Sequence, residues 1–267
     1  VTKLAFFFSI LLLAEGISAA QAPNLAATKP MNARQNIKVL ELRNYLLRPN
    51  SVGKFVDLFN ERFVHPMTEL GGYTYGQFTL RGAADRFVWL RGYHDVPSRI
   101  NFLNDFYVKS EVWRTNRTAA NALIVNSDNV YLLRPLNPDE DPAKPAQGIS
   151  GTELDFGTGV VVVDLFVCNA CRDQAVTLLR KEYLPFLGSI GVRNVTLWIS
   201  EMTENEFPRL PAFQNKDLLV TIVKFNTKAE YETAERRIEN MPATLKTALL
   251  ETITTREQWL LDAIHHE

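Results

Sequence analysis

The chain is sparing with the residues that most often announce a function. Two cysteines and four histidines occur in 267 residues, too few for a disulfide framework or a histidine-rich metal centre. Lysine and arginine total 29 against 30 aspartates and glutamates, a net charge of −1. No global positive field therefore exists to hold nucleic acid or an anionic membrane. Low-complexity tracts are missing, as are G-x-S-x-G, HExxH, a phosphate-cradling glycine loop and a dinucleotide fingerprint. The apolar run LAFFFSILLL (Leu4–Leu13) is too short to span a bilayer. Lys3 precedes it, and GISAAQA follows, with Ser18 and Ala20 at the −3 and −1 positions of a cleavage site. That arrangement is expected to be a signal peptide over residues 1–20, leading to a secreted or periplasmic protein with no membrane anchor after cleavage. Residues 21–36 lack periodicity and read as a flexible leader.

What is present is globular. The composition is 46% hydrophobic and 22% charged, and the length suits two domains. Ile37 to Leu47 alternates, with Leu40, Leu42 and Leu46 on one face and Glu41, Arg43 and Tyr45 on the other. Ser51 is placed to cap a helix whose stripe is Phe55, Leu58, Phe59 and Phe63, ended by Pro66 and Gly71-Gly72. YTYGQFTL (Tyr73–Leu80) and RFVWLRGY (Arg86–Tyr93) make a hairpin, Ser98 opens a second helical region, and VYLLR (Val130–Arg134) is a last strand. Strand, helix, strand, strand, helix, strand is the ferredoxin-like order.

Residues 136–155 are rich in Pro, Asp and Gly and read as a linker. Beyond it the order restarts with VVVVDLFV, a helix, NVTLWIS, LLVTIVKF, a helix from about Lys228, and EQWLLDAI. Tyr45–Met67 can be laid over Leu165–Leu187 without a gap, and the same offset brings Gly71 onto Gly191. The expected domains are 37–135 and a diverged copy at 156–267.

The segments ELRNYLLRPNSVGKFVDLFNERF, GGYTYGQFTLRGAADRFVWLRGYHDVPSR and VYLLRP resemble the NIPSNAP family. Its motif positions are held here by Glu41, Leu42, Arg43, Tyr45 and Pro49, then by Gly72, Gly76, Trp89, Tyr93 and Arg99. Asn50 departs from the pattern, which has Gly after the Pro, and Arg91 falls between the aromatic pair. The resemblance implies an α+β fold in which two tandem ferredoxin-like domains form a dimeric-type α+β barrel. The barrel closes as an intramolecular pseudo-dimer or as a homodimer.

Three groups of residues could carry chemistry. Glu41, Arg43, Tyr45, Trp89, Arg91 and Tyr93 share one sheet face; lining the barrel, they would suit a small polar or aromatic ligand or a protein partner. Equally, Glu41 with Arg43 or Arg91 would make a cross-strand ion pair. His65, beside Pro66, reads as a helix C-terminal group; the wider superfamily allows such a histidine to bind haem or act as a base, as in haem-using or cofactor-independent monooxygenases. No cofactor is otherwise expected. Cys168 and Cys171, in CNAC, sit at a strand-to-helix turn opposite Arg48 and Ser51 of the first copy. They read as a local disulfide or an inert pair, with a thiol oxidoreductase as the alternative; two thiols alone do not complete a zinc site.

Overall fold

In β1 (Val39–Leu47) almost every residue is buried, so both faces of the strand must be covered. The computed structural model shows how; it describes residues 36–136, 156, 158–169 and 172–264. The expected signal, leader and linker segments lie outside those residues, apart from Asn36 and Leu136.

The first half contains β1, β2 (Tyr73–Leu80), β3 (Ala83–Tyr93), the short β4 (Ile124–Asn126) and β5 (Val130–Pro135). The second contains β6 (Val160–Cys168), β7 (Asn194–Ser200), β8 (Leu218–Phe225) and β9 (Ile253–Ala263). Eight strands close on themselves in the order β1-β3-β2-β9-β6-β8-β7-β5, with β4 appended to the end of β1. Each half supplies four neighbouring strands in ferredoxin-like order. Two short seams join the halves: Phe78–Leu80 against Leu261–Ala263, and Leu133–Pro135 against Trp198–Ser200. Arg81 grips Asp262 across the first seam with two hydrogen bonds of 2.7 and 2.6 Å. The barrel is thus completed within one polypeptide.

Helices cover its outside. Helix α1 runs as Val52–Phe59, a π turn Asn60–Val64, and His65–Glu69. Pro66 does not end it, contrary to the sequence expectation. Proline removes one intrahelical donor and crowds the preceding turn, and the chain accommodates it with the wider π turn. The second half repeats this device in α4, as Arg172–Leu178, Leu179–Tyr183 and Leu184–Ser189, with Pro185 just after the π turn. Both helices end at glycines in the left-handed region, Gly71 at φ 88° and Gly191 at φ 93°. Asn50 also has positive φ, 58°, which explains how asparagine can stand where the NIPSNAP pattern has glycine.

Helix α2 is Val96–Leu103 with a π turn Asn104–Lys109, and α3 is Glu111–Leu123. Asp95 caps α2, accepting from the Ser98 amide at 2.8 Å, so Ser98 is a partner and not the cap itself. Ser51 holds the N-cap place of α1 but makes no side-chain cap hydrogen bond. In the second half the last helical region is split into α5 (Lys228–Glu239) and α6 (Ala243–Thr252).

The internal repeat is real, but its offset changes. Val52 and Arg172 open equivalent helices 120 apart, whereas β1 and β6 start 121 apart at Val39 and Val160. The turn between strand and helix is one residue shorter in the second half. Arg43 therefore corresponds to Asp164, and Cys168 to Leu47, not to Arg48. A one-residue slip in a strand exchanges its faces.

The barrel interior is predominantly apolar. Leu40 and Leu42 meet Val161, Val163, Leu165, Trp198, Val220 and Trp259 there. An eight-stranded barrel is just wide enough to be filled by side chains, and branched aliphatics and aromatic rings fill this one.

Candidate functional site

The opposite face of β1 and β3 carries the long polar side chains. Glu41, Arg43, Tyr45, Trp89, Arg91 and Tyr93 point away from the barrel, into the slot between sheet and helices. This corrects the expectation that they line the barrel. The narrow lumen takes the aliphatic face, and the wider slot takes the arginines and aromatic rings.

The β-register places Glu41 opposite Arg91 and Arg43 opposite Trp89. Arg91 donates to Glu41 Oε2 from Nε at 2.9 Å and from Nη2 at 2.6 Å. Arg43 Nη1 donates to the same oxygen at 2.9 Å, and the Tyr93 hydroxyl does so at 3.3 Å. Arg99, on α2, donates from Nε to Oε1 at 2.8 Å. The expected cross-strand ion pair is present, but as one carboxylate serving three guanidiniums. All four charged residues are at most 1% exposed.

Such a cluster carries an uncompensated positive charge where water is excluded, a costly arrangement. Aromatic faces supply part of the compensation. The Arg91 guanidinium lies 4.8 Å from the Phe102 ring centre and 4.9 Å from that of Trp89; Arg43 lies 5.4 Å from Tyr45 and 5.5 Å from Trp89. Burial would raise the Glu41 pKa, but Arg91, Arg43 and Arg99 together hold it well below the carboxylate range. Burial pushes the Tyr45 and Tyr93 phenols upward, so they stay neutral and add no negative charge. Arg43 Nη2, Arg99 Nη2 and the Trp89 indole N–H are buried without a hydrogen-bond partner. The cluster thus holds spare donors and spare positive charge together.

Beside it opens a cavity of about 360 Å³ between the sheet and helices α1 to α3. Tyr45, Phe59, Phe63, Trp89, Tyr107 and Trp113 give its wall an aromatic character. Tyr107 accepts from Arg91 Nη1 at 3.0 Å, linking cavity and cluster. Exposed Arg117 and Arg209 stand at the mouth. Among the described lining residues no carboxylate opposes them.

Part of this site comes from the other half of the chain. The β2–β3 connection is a two-residue turn, Arg81-Gly82, whereas the equivalent β7–β8 connection runs through residues 201–217. That longer loop brings Phe207, Arg209 and Leu210 to the cavity. It also places Asn205 Oδ1 3.0 Å from Arg99 Nη1. Its length against the two-residue turn is the one sequence signal that could have marked it. Arg99 was visible only as a motif position, and Tyr107, Trp113 and Arg117 had no signal beyond helical spacing.

Six of the residues that carry the NIPSNAP resemblance converge here: Glu41, Arg43, Tyr45, Trp89, Tyr93 and Arg99 belong to the cluster or cavity wall, while Leu42 faces the barrel interior. Gly72 is required for packing, since a Cβ there would meet the Phe102 ring at 2.5 Å. His65 does not join them. Its side chain is 82% exposed and pairs with Glu69 at 3.4 Å, and no histidine or cysteine is among the described residues lining the cavity. The cavity therefore does not fit a histidine-ligated haem. Cys168 is buried at the end of β6, while Cys171 lies outside the described residues. No group of three or more His, Cys, Asp or Glu able to hold a metal occurs among the described residues.

No family model and no curated protein matches the chain. Among solved structures, a proposed monooxygenase from Fusobacterium nucleatum is 10% identical, covering 85% of this chain and 93% of that one at a TM-score of 0.55. A heme-binding protein from Thermus thermophilus is 8% identical over 86% and 92%, at 0.51. A NIPSNAP-like domain protein from Burkholderia xenovorans is 25% identical but covers 42% of this chain and 95% of that one, at 0.35. At such identities the first two likenesses are of fold alone, and the third is too low in score to bear on structure. The chain has the dimeric α+β barrel fold, with both halves of the barrel in one polypeptide.

Proposed function

We propose that this is a NIPSNAP-type protein that binds a small aromatic or apolar acid in the first-half cavity. The observation that carries the reading is three buried guanidiniums on a single carboxylate, behind an aromatic wall with an arginine-lined mouth. An anionic group entering the cavity meets a favourable potential in a low-dielectric setting, while its apolar body covers the aromatic wall. Arg117 and Arg209 would draw the acid in, and the loop bearing Phe207 would cover it. With the expected signal peptide, the protein would meet this ligand outside the cytoplasm.

The test is isothermal titration of the full chain with 1-naphthoate, 1-naphthalenemethanol and 1-naphthylmethylamine. The carboxylate should bind at least about tenfold more tightly than the alcohol, in line with a charge-assisted contact. Its affinity should fall with added salt and in Arg209→Glu. Equal binding of acid and alcohol, or a preference for the amine, would overturn the proposal.

A further inference from the structure

The second half has a cavity in the equivalent place, and its charge pattern is different. It is larger, about 510 Å³, within the size range of ligand sites (roughly 300–1,000 Å³). It lies between the outer face of β6, β8 and β9 and helices α4 to α6. Val162, Phe166, Val223, Phe225, Met241 and Leu249 represent its apolar wall.

At its floor stands Asp164, 3% exposed, at the position that Arg43 holds in the first half. Arg256 Nε donates to Asp164 Oδ1 at 2.8 Å, and Gln258 Nε2 donates to the same oxygen at 2.9 Å. The Arg256 Nη2 contact also falls on Oδ1. Among the described residues every hydrogen bond to Asp164 is thus made on Oδ1, and Oδ2 is left as an accessible acceptor on the cavity wall. A ligand that brings a hydroxyl to this oxygen gains a hydrogen bond to a charged acceptor at an apolar wall.

The surrounding charges decide which donor fits. Asp164 is already neutralised by Arg256. Exposed Glu235, Glu239 and Lys246 stand at the rim, and the Tyr183 phenol lines the wall. Acids and bases nearly balance, so no field selects for an ion. A cation would sit beside Arg256, and an anion beside Asp164, both in low dielectric. We infer that the second half is an independent binding site for a neutral apolar molecule presenting a hydroxyl to Asp164 Oδ2. Burial raises the Asp164 pKa, which fits a carboxylate whose hydrogen bonding is incomplete. Burial, and after it the Asp164 charge, lifts Tyr183 to about 12, so its phenol remains a neutral part of the wall.

Calorimetric titration of the full chain with 4-hexylphenol and 4-hexylanisole tests this, since the two differ chiefly in the donated proton. The phenol should bind about tenfold or more tightly than the ether, as expected for a hydrogen bond to a charged acceptor. Asp164→Asn turns an amide donor toward the cavity and should erase that preference. Leu249→Trp fills the cavity and should abolish binding of both, with circular dichroism confirming the fold. Equal affinity of the wild type for phenol and ether, no saturable binding, or binding unchanged in Leu249→Trp would overturn the inference. Leu249 and Arg209 line different cavities, so L249W and R209E report on the two sites separately.

Discussion

Replacing Glu41 by glutamine would isolate what the buried cluster contributes, because the side chain keeps its size and loses only its charge and one acceptor. Oε2 accepts from Arg91 Nε, Arg91 Nη2, Arg43 Nη1 and Tyr93, while Oε1 accepts from Arg99. If the amide oxygen takes the Oε2 place, its NH₂ faces the Arg99 Nε–H, donor against donor. Three buried guanidiniums then share no counter-charge. Removing one partner of a buried ion pair costs about 3–5 kcal/mol, a large part of the ~5–15 kcal/mol that holds a native domain together. At roughly 2–4 °C per kcal/mol for a chain of this size, Glu41→Gln should melt about 6–20 °C below wild type at neutral pH, followed by circular dichroism. Adding Arg99→Gln should cost less than the two single losses combined, because it removes a charge the first change left unpaired. The pH dependence has a defined sign. Glu41 is held below its unfolded value of about 4.3, so its stabilisation is whole above that pH and drains away as acid lowers it further. The gap between wild type and Glu41→Gln should therefore narrow below about pH 4. A variant melting within about 2 °C of wild type, or a gap that does not narrow in acid, would refute this account of the cluster.

Three further outcomes test the frame. Gly71→Ala and Gly191→Ala, each forcing a Cβ into the left-handed region, should cost about 1–2 kcal/mol in urea unfolding. Gly53→Ala, in an exposed helical turn with no atom near the new Cβ, should instead gain about 0.5–1 kcal/mol. Trp198→Ala empties part of the barrel interior, where Trp198 is fully buried, and should cost about 3–5 kcal/mol.

Much of the architecture is legible in the residues. β2, β7 and β8 run over the spans their apolar patterns mark, and α5 starts at Lys228. Local signals suffice there because each segment is bounded by turn formers. Helix α1 runs past Pro66, since a π turn absorbs what proline disrupts. β9 begins at Ile253, ahead of the apolar run that marks it, because its first residues are exposed and polar.

The candidate site divides in the same way. Alternation in ELRNY showed by itself that Glu41, Arg43 and Tyr45 share a face, and spacing in FVWLRGY did the same for Trp89, Arg91 and Tyr93. Which way that face points depends on what covers each side, and β1 is buried on both. Only closure of the barrel decided it: a lumen sized for aliphatic packing leaves the slot under the helices for guanidiniums and rings. Tertiary structure likewise set the length of the turn after β6, which puts Asp164 where the first half has Arg43, and it brought the 201–217 loop across to the opposite half. The sequence determined the elements, the repeat and the shared faces, because these follow from local period. The fold decided inside from outside and which halves complete which site, because those depend on contacts between residues far apart in the chain, from Leu133 against Ser200 to Phe78 against Ala263.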